Sequence, residues 1–186
     1  EPGSDLPGAY RSFTSNVEAV VEGETVVVRS DGVPNHPSPY FPSDDPRYEP
    51  PYEGMEVNPS RIGEQSLVFR MPAEPRVAAE STDTGLGPIG LSVTGVALFN
   101  QYALEFAPVE NEFATFDLYN GHPTRRDLYH YHTEPVSITS TSRSTLVRLL
   151  LDGFPVYGPE DVDGGAPADL AECDGPTHAP LAYPQG

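Results

Sequence analysis

The chain has 186 residues, a length that suits one domain, and its 28 acidic and ten basic residues, the latter all Arg, give a net charge of −18. Such a field repels a phosphate backbone, and the only adjacent basic pair is Arg125-Arg126, so nucleic-acid binding is disfavoured; the absence of Lys also removes the usual phosphate-loop nucleotide site. No apolar run approaches the roughly 18 residues of a membrane-spanning helix, and 22 Pro with 17 Gly leave little room for long helices of any kind.

Residues 1–15 are turn-forming and aperiodic and read as a leader or linker, with a single domain over 16–186. The β-branched runs Val17–Val21 and Thr25–Arg29, separated by Glu22-Gly23-Glu24, predict a hairpin. From Pro34 to Pro59 the chain is rich in Pro, carries three Tyr and has almost no aliphatic residues, which predicts an irregular loop running over the surface. Strands are expected again at Ser66–Met71, Arg76–Glu80, Leu91–Val93 and Val96–Phe99, the last two joined by a tight turn at Thr94-Gly95. Asn100–Phe106 and Glu112–Leu118 fit a short helix or a strand equally well. Asp127–His132 reads as a strand, and Ser144–Leu151 as a buried strand or short helix ending at Asp152-Gly153. The fold class that follows is mainly β: short antiparallel strands in one compact domain, sandwich or barrel-like, with long Pro/Gly-rich loops.

Five histidines carry the chemistry: His36, His122, His130, His132 and His178. On an extended strand the side chains alternate, so His130 and His132 share one face, with Cβ atoms about 6–7 Å apart, and Tyr129 and Tyr131 share the other. His122, on the turn Asn120-Gly-His122-Pro that leads back into this strand, is placed to join them. Three converging imidazoles suit a transition metal such as zinc or copper, and no Cys pair or Met cluster points to a thiolate or Cu(I) site. A cupin would want a Glu several residues after His-X-His, and Glu134 stands only two residues on. The segment Asp161–Glu172 has four carboxylates at calcium-loop spacing but lacks the glycine and the flanking helices, so it reads as a solvated acidic loop rather than a calcium site. Ligating imidazoles must be neutral, so metal affinity is expected to fall below about pH 6.5. The single Cys173 forms no internal disulfide.

Taken together, Asp31-Gly-Val-Pro-Asn-His36-Pro, the block Leu86–Asn100, Asn120-Gly-His122-Pro, Tyr129-His130-Tyr131-His132 and Leu151-Asp-Gly-Phe-Pro-Val-Tyr-Gly158 resemble the YHYH-domain family. The resemblance implies a secreted, periplasmic or envelope-associated β-rich protein of bacterial type, and it supplies no reaction. It also implies an acidic position before the histidine motifs, matched here by Asp117, and a second histidine-rich motif of which Leu170–His178 looks like the start.

The expected site therefore has His122, His130 and His132 as metal ligands. His36 and His178 serve as fourth ligands or supports, and Asp117 or Asp152 accept an imidazole N–H beside Tyr129 and Tyr131. The expected function is extracytoplasmic binding of copper or zinc, aided by an anionic field that concentrates cations. The alternatives are a metal-dependent enzyme with an open coordination position, and a module that binds a glycan or a protein partner without metal.

Overall fold

The computed structural model describes residues 6–161 and 163–168. Among the described residues, nine strands form two sheets. β1 (Glu18–Glu22), β2 (Thr25–Ser30) and β3 (Leu67–Pro72) make an antiparallel meander. β4 (Pro88–Ser92), β5 (Ala97–Phe99), β6 (Gly121–Pro123), β7 (Tyr129–Tyr131), β8 (Leu146–Leu150) and β9 (Pro155–Tyr157) form a six-stranded sheet in the order β6-β7-β5-β4-β8-β9. Every pairing is antiparallel except β5 with β7, which is parallel. The protein is mainly β and mostly antiparallel, with no closed barrel. One short helix, α1 (Val136–Thr139), follows β7.

The first hairpin forms where the sequence places it, because Gly23 takes a positive φ that the turn requires and Val26, Val27 and Val28 are wholly buried behind it. Val26, Val28 and Met71 of the small sheet meet Leu91 and Leu149 of the large one in a shared core. A side-chain hydrogen bond also ties the sheets, from Ser30 Oγ to the Gly95 carbonyl at 2.7 Å. Gly95, with φ of 90°, has no room for a side chain, since a Cβ there would lie 2.5 Å from Ser30 Oγ. Ser144–Leu151 is settled as strand β8, hydrogen-bonded on both sides by β4 and β9.

Several expectations are corrected. The stretch read as a leader enters the core. Tyr10, in a 3-10 turn at Gly8–Ser12, is 2% exposed, packs on Met71 and Leu149, and donates from its hydroxyl to the Pro72 carbonyl at 2.6 Å. Arg76–Glu80 forms no strand. Gly121–Pro123, expected as a turn, is a short strand because it pairs residue for residue with β7. The Pro-rich segment 34–59 lacks named strands as expected, yet it does not simply skirt the surface. His36, Ser38, Tyr40 and Phe41 are buried, and the Tyr40 hydroxyl donates to the Thr115 carbonyl at 2.6 Å. Tyrosine makes this possible, since its ring fills core volume while its hydroxyl satisfies a backbone acceptor.

The two similar motifs beginning Asp31-Gly and Asp152-Gly prove to be the same local device. In each, the Asp side chain accepts from the backbone N–H two residues on, at 2.9 Å (Val33) and 3.2 Å (Phe154), and the Gly takes a positive φ. Asp152 is thereby a turn residue of the β8–β9 connection.

Candidate metal centre

The β6–β7 hairpin builds the site. His122 stands directly opposite His130 across the antiparallel pair, and His132 follows two residues after His130. Cross-strand pairing and period-two alternation therefore put all three imidazoles on one face of the sheet. Their ring centroids are 4.6, 4.8 and 5.7 Å apart, and one ring nitrogen from each lies within 4.8 Å of the others. The hairpin closes tightly because residue 121 is Gly: a Cβ there would fall 2.3 Å from the Tyr129 ring and hydroxyl.

Each imidazole is fixed through Nδ1. His132 Nδ1–H donates to the Asn100 carbonyl at 2.6 Å, and His130 Nδ1 lies 3.2 Å from the Leu128 carbonyl. Thr115 Oγ1 gives its proton to the Glu112 carbonyl at 2.7 Å, so its contact of 2.6 Å with His122 Nδ1 is one in which the ring donates. With Nδ1 protonated, His122 and His132 each present an Nε2 lone pair, and the contact between His130 and His132 is a hydrogen bond when the His130 proton sits on Nε2. His130 Nε2 and His132 Nε2 face each other at 3.0 Å, and His122 Nε2 is buried with no hydrogen-bond partner among the described residues. Three ring nitrogens turned inward, with carbonyl and hydroxyl groups behind them, could hold a metal ion.

The surroundings keep these rings neutral. Phe99 lies 4.0 Å from the His130 ring, and Phe116 stacks on His132 at 5.9 Å and meets His122 edge-on at 4.8 Å. Burial, aided by the neighbouring His132, pushes His122 down to about 3; burial likewise holds His130 well below the usual histidine range and lowers His132. The cluster thus disfavours charged rings while keeping its ring nitrogens directed inward.

One neighbour escaped the sequence reading. Glu112, in a 3-10 segment at Val109–Thr115, brings its Oε2 to 3.6 Å from His122 Nε2 and 3.8 Å from His132 Nε2. Its segment fits a helix or a strand equally well and so fixes no face for its side chains, and the carboxylate stands ten residues before His122, so only the fold reveals it. Glu134, the acid weighed after the His-X-His pair, instead pairs with Arg143 at 3.3 Å.

The other expected site residues lie elsewhere. His36 sits on the opposite face of β7, with Nδ1 donating to the Pro37 carbonyl and Nε2 accepting from the Tyr131 hydroxyl, both at 2.8 Å, and with its ring 4.1 Å from that of Tyr119. Asp117, expected to support an imidazole, serves this tyrosine face. It accepts from Tyr129 at 2.7 Å, from Ser38 at 2.6 Å, and from the Tyr119 and Gly121 backbone N–H groups. Asp152 is committed to its turn. His178 and Cys173 lie outside the described residues, as does the end of the acidic stretch Asp161–Glu172. Within that stretch, Asp163 accepts from the Gly165 N–H at 2.8 Å.

Fold and site together define a mainly β, two-sheet protein with a buried three-histidine cluster able to hold a metal ion. A family profile described as YHYH protein matches residues 68–173, more than half of the chain, and the chain belongs to that family. The match takes in His122, His130 and His132 and leaves His36 outside it. Comparisons with curated proteins and with solved structures return no match. No helix among the described residues is long and apolar enough to cross a membrane.

Proposed function

We propose that this protein binds one divalent transition-metal ion, zinc or copper(II), through Nε2 of His122, His130 and His132, in a capture or delivery role outside the cytoplasm. The observation that carries the reading is the convergence of three imidazoles, each with an Nδ1 partner behind it, on one small volume. His130 Nε2 and His132 Nε2 stand 3.0 Å apart, where the proton of one neutral ring joins them in the metal-free protein and a single cation can take its place, while burial opposes the positively charged rings that would compete with that cation. Nitrogen ligands at about 2.0–2.1 Å from one ion stand roughly 3.3 Å from each other in a tetrahedral arrangement; His130 and His132 stand 3.0 Å apart and the three nitrogens lie within 4.8 Å of one another.

The chain's own groups do the positioning. Asn100, Leu128 and Thr115 hold the three rings, and Phe99 and Phe116 exclude water from two sides. The bound ion would supply a fixed double positive charge at the base of a strongly anionic molecule. The net charge of −18 supports cation capture, and the family resemblance supports an extracytoplasmic setting.

The test is elemental analysis of untagged protein prepared without chelator, followed by zinc and copper titration of the stripped form. About one equivalent held at sub-micromolar affinity is expected. Replacing His122, His130 and His132 together by Ala should lower that affinity at least about 100-fold, as loss of the ligands demands. A folded triple variant with unchanged metal content would overturn the reading.

A further inference from the structure

The 3-10 segment Val109–Thr115 contributes twice to the histidine face. Thr115 orients His122 through its hydroxyl and is itself anchored on the Glu112 carbonyl, so one backbone turn fixes both the imidazole and the carboxylate facing it. The Glu112 carboxylate then points an oxygen at Nε2 of His122 and Nε2 of His132, at 3.6 and 3.8 Å. In the tautomers set by the hydrogen bonds neither Nε2 carries a proton, so there is no N–H for the carboxylate to accept from. An anionic oxygen turned toward bare lone pairs is repelled by them, and a cation at their common focus removes the repulsion.

The distances also distinguish direct from indirect contact. Zinc holds nitrogen and carboxylate ligands at about 2.0–2.2 Å, which leaves tetrahedral neighbours roughly 3.3–3.5 Å apart. A carboxylate acting through an intervening water would be displaced by a further hydrogen bond of about 2.7 Å. The observed 3.6 and 3.8 Å to His122 and His132 fit the first arrangement, and the carboxylate stands outside the group of three ring nitrogens that lie within 4.8 Å of one another, so it must move toward His130 to complete the shell. Exposure adds a direction: the Glu112 side chain is 32% exposed, against 6% for His122 and 2% for His132.

Building on the three-histidine reading, we propose that Glu112 is the fourth ligand and the exchangeable one, closing the site on its solvent side and selecting divalent zinc or copper(II) over Cu(I). Three buried imidazoles form the fixed floor, and the glutamate is the arm that swings aside as the ion enters or leaves. A hard anionic oxygen favours a divalent ion, while Cu(I) prefers soft sulfur ligands and gains little from it.

The experiment compares wild type with E112A and E112Q, titrating zinc and, under reductant, Cu(I) against a chromophoric chelator. E112A is expected to bind zinc about ten-fold or more weakly, as removal of a ligand requires. Its Cu(I) affinity should change less than about three-fold. Cobalt(II) supplies the second readout: azide should alter the visible spectrum of cobalt-loaded E112A and leave that of wild type unchanged. Zinc affinity within three-fold of wild type in both variants, or an azide response in wild type equal to that of E112A, overturns the assignment of Glu112. Failure of wild type itself to bind zinc or copper overturns instead the three-histidine reading beneath it. Thermal melting of the metal-free variants shows that they are folded, and E112Q, which keeps the side chain's size, serves if E112A is not.

Discussion

The two faces of β7 carry the same kinds of residue to opposite ends. On one face His36, Tyr129, Tyr131 and Asp117 form a closed circuit: both nitrogens of His36 are bonded, and the Asp117 carboxylate accepts four hydrogen bonds. On the other face each histidine has an Nδ1 partner behind it, and the Nε2 atoms turn toward one another, those of His130 and His132 in contact at 3.0 Å. Both nitrogens of His36 are occupied by a carbonyl and a tyrosine hydroxyl, which makes it a structural strut, while the three rings of the other face turn nitrogens toward one another and could hold a metal ion. What separates the two roles is the partner of the second nitrogen, because burial is common to both.

The largest effect that tests this contrast is expected at Asp117. Asp117→Ala leaves three buried donors and one half-buried donor without an acceptor and should cost about 3–5 kcal/mol in denaturant unfolding, with the metal affinity of the remaining folded protein unchanged. A loss of metal binding in folded protein would show that the faces are not independent. Next is Gly121→Ala, which presses a methyl group against the Tyr129 ring between the two faces and should cost about 2–3 kcal/mol by the same measurement.

Acidity acts on the histidines of both faces. Burial lowers His36, His122, His130 and His132 in the folded protein, so below about pH 6.5 the unfolded chain takes up protons that the native state refuses. Stability of the metal-free protein is therefore fully present above that pH. It falls on acidification toward the folded values, by up to about 1.4 kcal/mol per pH unit for each histidine involved. Urea unfolding at pH 7.5, 6 and 5 measures the slope, and a flat profile would contradict the burial-driven shifts. The same depression revises the expectation that metal affinity weakens from pH 6.5: proton competition should begin well below it, because the ligands are already neutral there. The smallest effect is Tyr131→Phe, which removes the partner of His36 Nε2 and should cost about 1–2 kcal/mol while leaving zinc affinity within two-fold.

The parts of the site that local chain geometry determines were legible in the sequence. Strand alternation places His130 beside His132, and the short return from His122 makes the hairpin, so the triad follows from residues 122–132 alone. The family resemblance, carried by Tyr129-His130-Tyr131-His132 and the Asp152-Gly-Phe-Pro turn, points to the same region. Long-range and aperiodic features were not legible. His36 meets Tyr131 across 95 positions of sequence, and nothing in its neighbourhood says which face of a distant strand it will join. Glu112 belongs to a 3-10 segment whose sequence fits a helix or a strand equally well, and Tyr10 looks like part of a linker until Pro72 and the core around Met71 are in place.

The β6–β7 hairpin gives the site a place in time as well as in space. Every group that would hold the ion lies within residues 112–132, a stretch synthesised in about one to four seconds at ordinary rates of translation. The loop that these ligands close is short and its entropic cost correspondingly small. β8, which completes the central sheet on the far side of β4, begins only at Leu146. The ligands for a cation are thus all present while two of the six strands of the large sheet have yet to be made, and an ion captured then would staple the hairpin before the sheet is complete.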